Sequence, residues 1–281
     1  MHYSHTVQQA VGFLLGLTDE EAAGRIRRRI GLPRPATEDP RVRRRRLNQV
    51  WAWPSNVPSS LALWILQEDD PELNAVVWRY IGLDAGLRRA LARGIPFGPG
   101  RTEPVPVDRR LPVEEPEIPD AYVHHGLVGA LREATSMAAG RAAASMVLTP
   151  ADWRTVTEAD AERALPGYAR WALSVRPDCP PALRAQFGSH PKFTHRVRQA
   201  GVLDGPAEYA TDHGPAVRVL DVLAMGAMMF PARIGEAEDS LRPLVQQHLG
   251  DREEAWAVLA QLIGTFHGTA PELVVTAGAI A

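Results

Sequence analysis

The chain has 281 residues, 45% of them hydrophobic and 23% charged, with a formal net charge of −2. That length holds one large core or two modest ones, and the near-neutral charge gives no global pull toward nucleic acid or an anionic membrane. The single cysteine, Cys179, excludes an internal disulfide and a multi-cysteine zinc site.

The charge is unevenly spread: residues 1–50 carry ten Arg against five Asp and Glu, and the remainder is acidic. The opening Met1-His2-Tyr3-Ser4-His5 lacks the basic residues of a secretory signal. No run approaches the roughly 18 uncharged apolar residues of a membrane span, so a cytoplasmic protein with no membrane partner is expected.

The first predicted helix follows Thr18-Asp19-Glu20-Glu21, which reads as a capping box, and runs through Ala22, Ala23, Ile26 and Ile30 to a stop at Gly31. A second opens at Asp39-Pro40-Arg41-Val42 and runs to Pro54. A third covers Leu61, Leu63, Trp64 and Leu66. A fourth opens at Asp70-Pro71-Glu72-Leu73, places Leu73, Val76, Val77, Tyr80 and Ile81 on one stripe and ends at Gly82. A shorter helix spans Asp84 to Arg93. The acidic N-cap accepts bonds from the first free backbone N–H groups, and proline one step later needs no hydrogen bond there. Asp-Pro-x-apolar recurs 31 residues apart, at 39 and 70. Over residues 38–94 this resembles the opening of HEAT-type helical repeats, which implies stacked helix pairs and a binding surface along their edge.

Residues 95–119 break the pattern with seven prolines in 25 positions, an arrangement that excludes helix. The segment is a linker between helical regions 1–94 and 120–281, or a strap along one continuous body. Val105, Val107, Leu111, Val113 and Ile118 favour the strap, because a flexible linker has little use for apolar side chains.

Beyond it, residues 126–148 are rich in Ala and Gly, which allows close helix approach. Thr149-Pro150 opens a further helix. Tyr168, Trp171, Ala172 and Val175 share one face. Pro215 to Phe230 is apolar nearly all round and reads as a central buried helix. Leu241, Leu244, Val245, His248 and Leu249 form another face. Asp251 is placed as the cap of a helix carrying Trp256, Leu259, Leu262 and Ile263, and a last helix opens at Thr269-Ala270-Pro271. No period-two alternation is long enough for a strand, so the fold class is all-α, a multi-helix array of about a dozen helices. Pro166-Gly167-Tyr168-Ala169-Arg170-Trp171-Ala172-Leu173-Ser174 and Gly268-Thr269-Ala270-Pro271-Glu272-Leu273 resemble phrases in a group of uncharacterised actinomycete proteins. That resemblance implies no activity.

Motifs for chemistry are sparse. His190 and His195 stand five apart and His124 and His125 are adjacent, spacings that splay side chains rather than converge them on a metal. Cys179 sits in the turn Arg176-Pro177-Asp178-Cys179-Pro180-Pro181, where Asp178 opposes any help from Arg176. Asp212-His213 offers an acid–base pair or a polar loop ahead of a buried helix. Phe97-Gly98-Pro99-Gly100 lacks the Lys and Ser/Thr of a phosphate-binding loop. No catalytic residue, metal ligand or cofactor is expected.

The best functional segment is Arg41 to Trp78. Arg43, Arg44, Arg45 and Arg46 form a run, and Trp51, Trp53, Trp64 and Trp78 lie close behind. At 100° per residue from Val42, Arg46 falls about 40° round, inside the apolar stripe. Trp51-Ala52-Trp53-Pro54 is a turn of the kind that lines a binding edge. The leading expectation is therefore a non-enzymatic protein–protein interaction or scaffold protein with Arg43–Arg46, Trp51 and Trp53 as partner-binding residues. The alternative is nucleic-acid binding by the same arginines. A third reading is an enzyme whose pocket is dispersed in sequence.

Overall fold

The computed structural model describes residues 4–34, 57–109, 111 and 115–281. Every regular element among them is helical, as the caps and periodicity predict. In chain order these are α1 (His5–Leu15), α2 (Glu20–Ile30), α3 (Ser60–Leu66), α4 (Pro71–Tyr80), α5 (Ala85–Ala92), α6 (Asp120–Arg132), α7 (Met137–Ala143), α8 (Pro150–Glu162) and α9 (Gly167–Ser174). They continue as α10 (Pro181–Gly188), α11 (Thr194–Gln199), α12 (Pro206–Asp212), α13 (Ala216–Ala224), α14 (Gly226–Met229), α15 (Ile234–His248), α16 (Glu253–Leu262) and α17 (Ala270–Ile280). There are more helices than the dozen expected: α1, α10 and α12 form where none is expected from the sequence, and others arise where an expected helix breaks. Pro215 to Phe230, for example, divides at Met225 into α13 and α14. None of these helices is long and apolar enough to cross a membrane.

The helices group into two units, Met1–Trp51 with Gly205–Ala281, and Ala52–Asp204. The Asp39-Pro40 opening lies outside the described residues, so only the Asp70-Pro71 copy of the repeat signature is seen.

In the first unit, α1 packs against α13, α12 against α15, and α16 against both α17 and α2. Val11, Leu14 and Leu15 of α1 and Leu220 of α13 are completely buried. Each such side chain contributes about 1.5–3 kcal/mol by leaving water. Asp19 caps α2 by accepting from the Ala22 N–H at 2.8 Å. Thr18 is not the cap: its hydroxyl donates back to the Leu15 carbonyl. Gly31 ends α2 at φ +71°, a left-handed conformation that glycine adopts without cost. The cap expected at Asp251 is instead Arg252, which makes no side-chain cap bond. Thr269 and Glu272 complete a reciprocal capping box at the start of α17.

In the second unit, α3 packs on α4, α7 on α9, and α9 on α10. Its core gathers Trp153, Trp171, Phe187 and Phe193 with Leu131, Val156 and Leu173. The alanine- and glycine-rich stretch does bring backbones together: a Cβ at Gly140 would stand 2.5 Å from the Tyr168 carbonyl oxygen. Residues 95–119 belong to this unit. The Val105 N–H donates to the Gly94 carbonyl at 2.8 Å, and Arg93 forks onto Glu115 at 2.9 and 2.8 Å. Fully buried Arg89 donates to the Glu117 carbonyl at 2.5 Å and the Ser145 carbonyl at 3.3 Å. Val105 and Leu111 are buried, whereas Val107 and Ile118 are exposed.

Candidate functional site

A cleft of about 1040 Å³ in the second unit is lined by side chains from α3, α5, the 95–102 loop, α8 and α10. One part of its wall is the Phe97-Gly98-Pro99-Gly100 turn. Asp69 fixes that turn: Oδ1 accepts the Phe97 N–H at 2.7 Å and Oδ2 accepts the Gly98 N–H at 3.0 Å. Asp69 is 5% exposed and holds φ +50°, a conformation that Asp tolerates better than most side chains. Gly98 is sterically required, since a Cβ there would stand 2.6 Å from Asp69 Oδ2. Asp69 and Asp70 thus divide their labour. Asp70 caps α4 through the Glu72 and Leu73 N–H groups, and Asp69 shapes the cleft.

Further lining comes from the Val147–Pro150 turn, Trp153 of α8 and Leu183 of α10. Thr149 and Asp152 cap α8 reciprocally and hold that turn. Deep in the lining is Arg176, only 4% exposed. Its Nε and Nη2 bond Asp178 at 2.8 and 2.6 Å, and Nη1 donates to the Ala144 and Met146 carbonyls. Burial works against the Arg176 charge, and the Asp178 and Asp84 carboxylates more than offset it, so its pKa stands above the ordinary value. Gly86 makes room for this group: a Cβ there would lie 2.7 Å from Arg176 Nη1 and 2.8 Å from the Met146 oxygen. The remaining polar side chains of the cleft include Arg101, Arg154 and Glu158. The cleft is therefore chiefly apolar, and its deepest charged pair is already satisfied internally.

Arg43, Arg44, Arg45, Arg46, Trp51 and Trp53 lie outside the described residues. Of the two other tryptophans in that stretch, Trp64 is 1% exposed and belongs to the core, and Trp78 stacks under Arg88 with 5.7 Å from guanidinium carbon to ring centre. Cys179 is buried, and burial pushes its thiol up to about 12, the opposite of a nucleophile's shift. His190 packs on Phe193 at 5.4 Å between ring centres, and His125 meets Glu133 at 3.4 Å. His213 lies 5.6 Å from the Tyr209 ring, while Asp212 is exposed. Among the described residues, no three His, Cys, Asp or Glu side chains converge as a metal site. Sequence reasoning missed Asp69, Gly86, Gly98 and the Arg176–Asp178 pair. The only signal for them was a dense local punctuation of Gly and Pro with a carboxylate upstream, and spacing gave no hint that the two would meet.

Comparison with known proteins finds no family model, no curated protein and no solved structure that matches the chain.

Proposed function

We propose that this chain is a non-enzymatic binding protein and that the cleft of residues 52–204 takes a predominantly apolar ligand. The observation that carries this reading is the cleft's combination of size and lining. About 1040 Å³ lies at the upper end of small-molecule sites, and such sites pair apolar walls with a few placed polar groups. Leu87, Phe97, Leu148, Trp153 and Leu183 supply the apolar surface, and Arg101 and Arg154 supply charge for orientation. The bidentate Arg176–Asp178 pair supports binding over catalysis, because neither partner is left free to exchange a proton with a substrate. A protein-binding edge at Trp51 and Trp53, with Arg43–Arg46 beside it, is a separate proposal that the sequence pattern supports.

The test uses the full chain and the neutral apolar fluorophore N-phenyl-1-naphthylamine. Saturable one-to-one binding is expected. Ala182, exposed and on the cleft, gives the control: Ala182→Trp fills space without disturbing the core. It is expected to weaken binding about tenfold or more at unchanged thermal stability. Non-saturable uptake, or binding indifferent to that substitution, refutes the reading.

A further inference from the structure

A second cavity of about 550 Å³ lies in the same unit and is built differently. Its lining includes Asp84 from the start of α5, Met137 and Arg141 from α7, Trp171 from α9, and Arg196 and Gln199 from α11. Both arginines are exposed and neither has a carboxylate partner among the described residues. Arg141 lies over the Trp171 ring at 5.1 Å, and Arg196 Nη1 touches the Met137 sulfur. A guanidinium is a planar fork matched to carboxylate and phosphate oxygens, and here two of them line one concavity.

Two buried polar atoms on the lining residues are also unpartnered. Trp171 is 4% exposed, yet its Nε1–H has no acceptor. An indole N–H can only donate, so it calls for an oxygen. Asp84 Oδ1 accepts the Leu87 N–H at 3.0 Å, while Oδ2 is buried without a partner. Natural proteins rarely leave such groups unpaired. We propose that this cavity binds a small molecule through an oxyanion, a carboxylate or a phosphate, held by Arg141 and Arg196 with the Trp171 indole as a further donor. Asp84 is not one of the ligand's donors: burial raises its carboxyl pKa, while Arg176 beside it favours the charged form. The ligand differs in charge from that of the larger cleft, so the two sites are separable.

The test follows the Trp171 indole N–H resonance of the full chain, assigned with Trp171→Phe, during titration with inorganic phosphate and separately with succinate. Sodium chloride at matched ionic strength is the control. A saturable shift with one or both oxyanions and none with chloride is expected, and the stronger of the two identifies the head group. The double variant Arg141→Gln, Arg196→Gln is expected to weaken that binding about tenfold or more, with the melting temperature unchanged. Trp171→Phe keeps the ring and removes the donor, and calorimetry should show binding several-fold weaker by roughly the loss of one charge-assisted bond. Absence of a saturable shift, a response equal to chloride, or affinity indifferent to the arginine pair overturns the proposal.

Discussion

Replacing Asp69 tests how the larger cleft is held open, and the expected magnitude follows from its two bonds. Asp69→Ala removes the acceptors of the Phe97 and Gly98 N–H groups, at 2.7 and 3.0 Å. Hydrogen bonds to a charged acceptor are each worth about 1.5–3 kcal/mol, and the partial access of this loop to water puts the pair near the low end, about 3 kcal/mol. Alanine at φ +50° adds roughly 1 kcal/mol that glycine does not. Asp69→Ala is therefore expected to cost about 4 kcal/mol and Asp69→Gly about 3. Amide hydrogen exchange reads this locally. Protection of Phe97 and Gly98 should fall about 100-fold in the glycine variant, since every 1.4 kcal/mol is tenfold, and further in the alanine variant. Affinity of the cleft for its apolar probe should fall with it. Unchanged exchange at both amides, or equal cost in the two variants, would refute the clamp or its strained backbone respectively.

Two other expectations follow from buried groups. Gly86→Ala forces a Cβ against Arg176 Nη1 and the Met146 oxygen, and should destabilise the chain by about 1–3 kcal/mol in urea unfolding. An effect within experimental error would show that Arg176 has room to move. Asp221, in the first unit, has its carboxyl pKa raised above the ordinary 3.8 by burial, with His5 partly opposing. A carboxyl with a raised folded-state pKa binds more protons folded than unfolded, so stability falls as pH rises through that window. Asp221→Asn should thus stabilise the chain at neutral pH, and the gain should vanish below the ordinary carboxylate range. A gain that persists in acid would mean the charge of Asp221 is not the cause.

The features legible in the sequence are those set by neighbours along the chain. Asp19, Asp70, Asp84, Thr149 and Thr269 each accept from a backbone N–H two or three residues on, which spacing alone reveals. Errors occurred where two local signals competed, as with Thr18 beside Asp19 and Asp251 beside Arg252. The clefts were illegible for a different reason. Asp69 meets Gly98 29 residues away, Arg89 meets Ser145 across 56, and Arg176 meets Met146 across 30. These pairings follow from how helices stack, and no periodicity in a single segment encodes them. Even the small residues that permit them, Gly86 and Gly98, look like ordinary helix and turn glycines until the partner is in place.

The buried charges of residues 52–204 share one pattern that bears on function. Asp160 accepts the Leu165 N–H, both forks of Arg170 and the Gln186 amide; Asp69 binds two backbone N–H groups; Arg176 binds one carboxylate and two carbonyls. Each is therefore committed to holding a loop in place, and removing one partner strands the other in a medium where an unpaired charge is costly. A unit assembled from short helices needs such ties, because its turns carry backbone groups that no ladder satisfies. One consequence is that the large cleft is left with apolar walls between rigid loops. The other is that an unpaired polar group becomes informative. Asn74 Oδ1, Arg89 Nη1 and Arg184 Nε make no hydrogen bond elsewhere in these residues, whereas Trp171, with its unpaired Nε1–H, lines the second cavity together with Arg141 and Arg196. An oxyanion bound there would accept from the Trp171 N–H and both guanidiniums, which is the arrangement the phosphate and succinate titrations test.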